Sequence, residues 1–246
     1  AFSPDGSNLL VTLNRAFRLL SVPALETLVD VDGSGESLSV AFAPDGETMA
    51  LVSRRAPILH CRGDGTVIQS LPNVGATWTV DFSPDGSRLV GGTWIKLVRV
   101  WNLETGAIEA ELPGHGALVF DVRCIPGDPT RVVSCGGEGE IRIWDLSSGR
   151  CLLTHKAFDG WEASAADLVG ETLYASSAGG DVRAWDLAEG ARRIAGNLES
   201  QLAITQALRP DDPRFAAALA WARRRLSPHE DASADPDAES ADPRDP

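Results

Sequence analysis

Short phrases return along this chain at a nearly constant interval. AFSPDG at Ala1–Gly6 recurs as AFAPDG at Ala41–Gly46 and DFSPDG at Asp81–Gly86, which sets Phe2, Phe42 and Phe82 40 residues apart. A second phrase keeps nearly the same beat. VRVWNLETG begins at Val98, IRIWDLSSG at Ile141 and VRAWDLAEG at Val182, and their tryptophans (Trp101, Trp144, Trp185) are spaced 43 and 41. A unit of this size cannot bury its apolar faces alone and has to stack on copies of itself. That requirement restricts the fold more than any local propensity does.

One unit shows the local grammar. In Leu118–Arg150, LVFDVRC reads as a buried strand and IPGDP as a turn in which Pro and Gly set the backbone. RVVSCG is a second strand, GEGE a hairpin turn, and IRIWDL a third strand with period-two alternation. SSG turns again and RCLLTH is the fourth. Four short antiparallel strands in about 40 residues make one twisted blade of a β-propeller. The expected fold is therefore all-β: a propeller of four-stranded antiparallel blades over 1–197, with five readable blades, the first lacking its first strand. The recurring PDG turns suit this, since Pro presets one dihedral and Gly accepts a positive φ.

Residues 198–226 admit two readings. TQALRPDDPRFAAALA aligns loosely with the blade phrase DVRCIPGDPTRVVSCG and would begin a partial sixth blade. Alternatively Asp212 caps a C-terminal helix with Pro213 in its first turn and an Ala-rich body. Residues 227–246 hold seven acids, one base and four prolines, with no large apolar side chain. Such a stretch cannot offset its ordering entropy and is expected to be a disordered acidic, Pro-rich tail. A chain that opens inside a repeat reads as a fragment whose ring is incomplete.

Composition removes several function classes. The net charge of −13 argues against nucleic-acid phosphate as the main partner. No apolar run reaches the roughly 18 residues of a membrane helix, and no membrane association is expected. Cys61, Cys124, Cys135 and Cys151 lack any CxxC spacing, so neither a zinc site nor another metal or cofactor is expected. Without a secretory signal, reduced thiols fit an intracellular protein, cytoplasmic or nuclear.

The Trp phrases and PDG turns resemble the WD-repeat family of β-propellers. The resemblance implies a non-catalytic platform for assembling other macromolecules. Family blades carry a hydrogen-bonded set, which maps here onto His115, Ser134, Glu138 and Trp144 of blade 4, with Glu138 where the family prefers Asp. The other blades depart from it. Blade 3 has Ile95 at the acidic position and no Gly-His. Blade 5 has Gly179 there, and its His155 fits only with a longer loop. Leu20 in blade 1 and His60 in blade 2 stand in for the Trp. Trp101, Trp144 and Trp185 are expected to stack against the next blade.

The resemblance also implies a docking face, built from the loops entering each first strand and joining the second and third strands. Register places Trp78, Trp94, Phe120 and Trp161 on it, with Arg54, Arg55 and Lys96 on the same side. Tryptophan and arginine on a concave surface are frequent anchors for a partner. The expectation is a scaffold binding a peptide or protein segment, an assembly subunit and not an enzyme. Two alternatives stand beside it. A receptor of a ubiquitin ligase would carry Arg or Lys two residues after the Trp-Asp aspartate, where this chain has Ser147 and Ala188. A channel-binding small-molecule or hydrolytic protein would need His115 and Ser134 to act with Asp121 or Asp145, but there is no GxSxG elbow.

Overall fold

The computed structural model describes residues 1–32, 36–54, 56–169 and 172–186. The two readings of 198–226 and the tail at 227–246 lie outside the described residues. Eighteen strands follow one another with no helix among the described residues. They form five antiparallel sheets.

Blade 1 contains β1 (Asn8–Thr12), β2 (Ala16–Ser21) and β3 (Thr27–Asp32). Blade 2 contains β4 (Ser37–Phe42), β5 (Thr48–Ser53), β6 (Ile58–Arg62) and β7 (Val67–Leu71). Blade 3 contains β8 (Thr77–Phe82), β9 (Arg88–Thr93), β10 (Leu97–Asn102) and β11 (Ile108–Pro113). Blade 4 contains β12 (Val119–Ile125), β13 (Asp128–Gly136), β14 (Glu140–Asp145) and β15 (Arg150–Lys156). Blade 5 contains β16 (Ala163–Val169), β17 (Thr172–Ser177) and β18 (Val182–Asp186). Each strand pairs with the next in sequence. Blade 1 has no full innermost strand; what stands there is a bridge from Phe2 to Leu9, the register that Phe82 and Leu89 hold in blade 3. The innermost strands β4, β8, β12 and β16 touch in succession, which places them around a central channel.

The PDG turns close these innermost hairpins. Gly46 and Gly86 hold φ of 72° and 71° and donate to Ala43 O and Ser83 O at 3.0 and 2.8 Å. A side chain with Cβ adopts that backbone only at a penalty, which accounts for the repeated Gly.

The core lies in the seams between blades. Val90, Val98, Val100 and Leu112 of blade 3 pack with Val119, Val122, Val132 and Trp144 of blade 4. Trp101 packs with Ala50, Val52, Ile58 and Leu71 of blade 2, and Trp185 with Val133, Ile141 and Ile143 of blade 4. The tryptophans thus pack against the preceding blade, a correction to the expected direction. Alternation along β10 sends Val98 and Val100 forward to blade 4 and Trp101 back to blade 2.

Pairing corrects two further assignments. Met49 pairs Cys61 as Leu89 pairs Trp101, so Cys61, not His60, holds the Trp register in blade 2. His155 pairs Ile141 as Leu112 pairs Val98; it therefore sits on a strand, and the linker position three residues on is the buried Phe158.

Candidate functional site

Blade 4 contains a continuous polar chain. Trp144 Nε1–H donates to Ser134 Oγ at 2.8 Å, and Ser134 Oγ lies 2.7 Å from His115 Nε2. His115 Nδ1 meets Glu138 Oε1, and Glu138 Oε2 accepts the Ala117 N–H at 3.0 Å. One assignment satisfies every group: Trp donates to Ser, Ser to His Nε2, and His Nδ1–H to Glu. Burial works against the Glu138 charge, but the hydrogen bonds from His115 and Ala117 outweigh it and hold the carboxyl below its usual range. The chain ties the linker at 114–118 to the turn at 137–139.

This order of groups also resembles a nucleophile, base and acid, and the environment argues against that use. The Ser134 residue is fully enclosed, and its oxygen already accepts from Trp144. Asp121 and Asp145, the alternative acids, are engaged elsewhere: Asp121 binds Thr79 Oγ1 and the Ala166 N–H, and Asp145 accepts the Ser147 N–H. An acyl group would have no space beside Ser134.

Blade 3 meets the same need differently. Gly91 stands in the register of Ser134, and a Cβ there would lie 2.9 Å from the Trp101 ring. Trp101 Nε1–H donates instead to Pro72 O at 3.0 Å, in the linker from blade 2. Buried Arg99 reaches Val74 O in that linker and pairs with Glu111. Arg183 likewise donates to Ala157 O at 2.6 Å. The Arg of each Arg-X-Trp phrase, spaced 43 and 41, was a periodic signal that the Trp pattern overshadowed; Arg99 and Arg183 clamp a linker carbonyl, whereas Arg142 pairs with Glu140.

On the face that these linkers reach, three rings meet. Trp78 comes from β8, Trp94 from the turn after β9, and Phe120 from β12. The Trp78–Trp94 and Trp78–Phe120 centroids are 5.3 and 6.3 Å apart, both edge to face. Arg54 of blade 2 lies over Trp94 at 5.5 Å and pairs with Glu36 at 2.9 Å. Trp94 is 41% exposed, whereas Trp78 and Phe120 are partly buried. Lys96 is exposed in the same turn as Trp94. Trp161 is 54% exposed and packs beside Gly179; no ring contact joins it to the trio among the described residues. Arg55 lies outside the described residues. The structure therefore brings Trp78, Trp94, Phe120 and Arg54 into one cluster and leaves Trp161 apart from it.

The channel wall holds a set that sequence reasoning missed. Ser39 Oγ accepts the Val80 N–H at 3.4 Å, Asp81 Oδ2 the Cys124 N–H at 2.8 Å, and Asp121 Oδ2 the Ala166 N–H at 3.1 Å. Each innermost strand thus hands a side-chain acceptor to a backbone donor on the next. Burial raises the Asp81 carboxyl to about 6, against the two backbone hydrogen bonds and the Arg123 charge, and it also raises Asp121. Acidic residues inside otherwise apolar innermost strands were the available signal.

Comparison with known proteins agrees with this architecture. The model of the WD domain, G-beta repeat, matches residues 106–145. Residues 106–145 thus carry the sequence of one WD repeat. It is 29% identical over 147 residues to small ribosomal subunit protein RACK1 of Caenorhabditis elegans, covering 59% of the chain and 44% of that protein. It is 29% identical over 77 residues to Polycomb group protein FIE1 of Zea mays, covering 31% and 17%. It is 27% identical over 154 residues to autophagy-related protein 16 of Arabidopsis thaliana, covering 61% and 30%. The chain spans less than half the length of each of these relatives. The matched repeat starts just before β11 and ends with β14, so the sequence unit joins the outermost strand of one blade to three strands of the next.

Proposed function

We propose that this chain is a non-catalytic interaction module that docks a peptide or protein segment across blades 2 to 5. The observation that carries this reading is the cluster of Trp78, Trp94 and Phe120 with Arg54, contributed by three blades and ending in a partly exposed indole. A partner that covers Trp94 removes apolar area from water and uses aromatic and arginine anchors, the residue types that dominate binding energy at such surfaces. Lys96, Arg55 and Trp161 would extend the surface. Relatives whose names place them in a ribosomal subunit, a Polycomb group and autophagy favour a role inside assemblies. An intracellular site of action, cytoplasmic or nuclear, accords with four free cysteines.

The test is quantitative recovery of partners from source lysate by the wild-type chain and by Trp94→Ala, with circular dichroism as the control for folding. Truncating one anchor should weaken a specific partner by about 2 kcal/mol or more, roughly 30-fold in affinity. Equal recovery by a folded Trp94→Ala variant rejects this face as the docking site.

A further inference from the structure

The end of the channel away from the aromatic cluster holds a cavity of about 670 Å³. Its position follows from strand direction: the cluster uses the turn after β9, and the cavity is rimmed by the PDG turns before β5 and β9. The wall is about half apolar, with Val40, Phe42, Pro44 and Pro84 contributing alongside the edges of the buried Val80 and Phe82. Three charged side chains interrupt it, one each from β8, β12 and β16: Asp81, Arg123 and Asp167; the Ala1 α-ammonium also lines it and donates to Leu10 O at 2.8 Å.

The charges do not balance. The Arg123 guanidinium lies 2.7 Å from Asp121 and only 3.8 Å from Asp167. Asp121, which lies outside the cavity lining, thus neutralises Arg123. Among the described residues no cation lies within salt-bridge distance of Asp81. Its two oxygens accept one backbone N–H each, from Phe82 and Cys124, and each retains a second lone pair. An anion is repelled beside Asp81, and a neutral apolar guest would strip water from that carboxylate without replacing it. A cation on an apolar body satisfies both parts of the wall. The volume lies within the range of about 300–1,000 Å³ typical of small-molecule sites.

We propose that this cavity binds an organic ammonium ion, with its apolar body against the Phe and Pro wall and its charged head on Asp81, assisted at the rim by Asp167. The site is independent of the aromatic face, so the two assignments stand or fall separately.

Titration calorimetry on the 246-residue chain at neutral pH tests it with three probes of one shape: 4-phenylbutylammonium, 4-phenylbutanol and 4-phenylbutyrate. The ammonium should bind at least about 10-fold tighter than the alcohol, and the carboxylate weakest. Asp81→Asn should bring the ammonium down to the alcohol. Should that variant not fold, Asp167→Asn, whose carboxylate is exposed, should weaken the ammonium about threefold. A fourth probe, acetyl-Leu-Lys-Leu-amide, identifies the source: tighter binding than the free amine assigns the ammonium to a partner's lysine, weaker binding to a small molecule. Equal affinity for ammonium and alcohol, no binding of any probe at about 10 mM, or an ammonium affinity unchanged by both substitutions overturns the proposal.

Discussion

Replacing Asp121 with Ala should damage the seams on both sides of blade 4. Its Oδ1 accepts from Thr79 Oγ1 at 3.0 Å, from the Val122 N–H at 3.0 Å and from Arg123 Nη1 at 2.7 Å. Its Oδ2 accepts the Ala166 N–H at 3.1 Å. The side chain is nearly enclosed. Truncation leaves the Ala166 and Val122 amides without their acceptor, at about 1–3 kcal/mol for each buried donor. The Thr79 hydroxyl can rotate to another acceptor, and partly exposed Arg123 can turn to water. Part of the loss is returned, because burial already disfavours the Asp121 charge. The net expectation is a destabilisation of about 2–4 kcal/mol. Urea unfolding followed by circular dichroism measures the total, with unchanged slope as the check on two-state behaviour. Hydrogen exchange localises it: the Ala166 amide should lose protection before the amides of β9. A double-mutant cycle with Thr79→Val should give a coupling of about 1 kcal/mol. An Asp121→Ala variant within about 0.5 kcal/mol of wild type, with Ala166 still protected, would refute the latch.

Two further outcomes follow from the same geometry. Asp81 titrates at about 6 in the fold against 3.8 in its ordinary state, so the folded protein binds the extra proton between those values. Relative to Asp81→Asn, wild-type stability should therefore be highest below pH 4, fall as pH rises towards 6, and level off above it; the full shift corresponds to about 3 kcal/mol, reduced towards about 1–2 by water in the cavity. Thermal melts of both proteins across that window check the sign, and parallel curves would remove Asp81 as the cause. Ser134→Ala should cost about 2–3 kcal/mol, since it strands both the Trp144 indole N–H and His115 Nε2 in an enclosed seam; denaturant unfolding shows it, and a change below about 0.5 kcal/mol would mean that the chain carries no net stability.

The blade plan was legible because the Trp phrases, the PDG turns and the hairpin glycines all mark the same beat. His115, Ser134, Glu138 and Trp144 were legible as a set because few other residue types meet those hydrogen-bonding demands. Alternation showed that Trp101 and Val100 face opposite ways, but alternation has no sense of rotation, so the neighbour that each one meets had to come from the structure. His60 was mistaken for the Trp equivalent by a single place, the smallest error that reverses a strand's faces; the interval from Trp101 back to Cys61 is the 40 residues of the Phe phrases. The seam acceptors escaped notice because Ser39 and Asp121 share a register but not a chemistry, while Asp81 stands two places further along its strand. The clustering of Trp78, Trp94 and Phe120 depends on how far blade 4 is rotated against blade 3, which a linear pattern does not encode.

The seam latches from Ser39, Asp81 and Asp121 all run in one direction around the axis, and each closes on a main-chain amide. A receiving unit contributes nothing particular to its own sequence, since almost any residue offers an N–H. Only the giving unit is constrained. Copies of such a unit can therefore be added, lost or allowed to diverge without a matched change in their neighbours, and this tolerance accounts for five blades that keep one architecture while only one retains the full Trp–Ser–His–Glu chain.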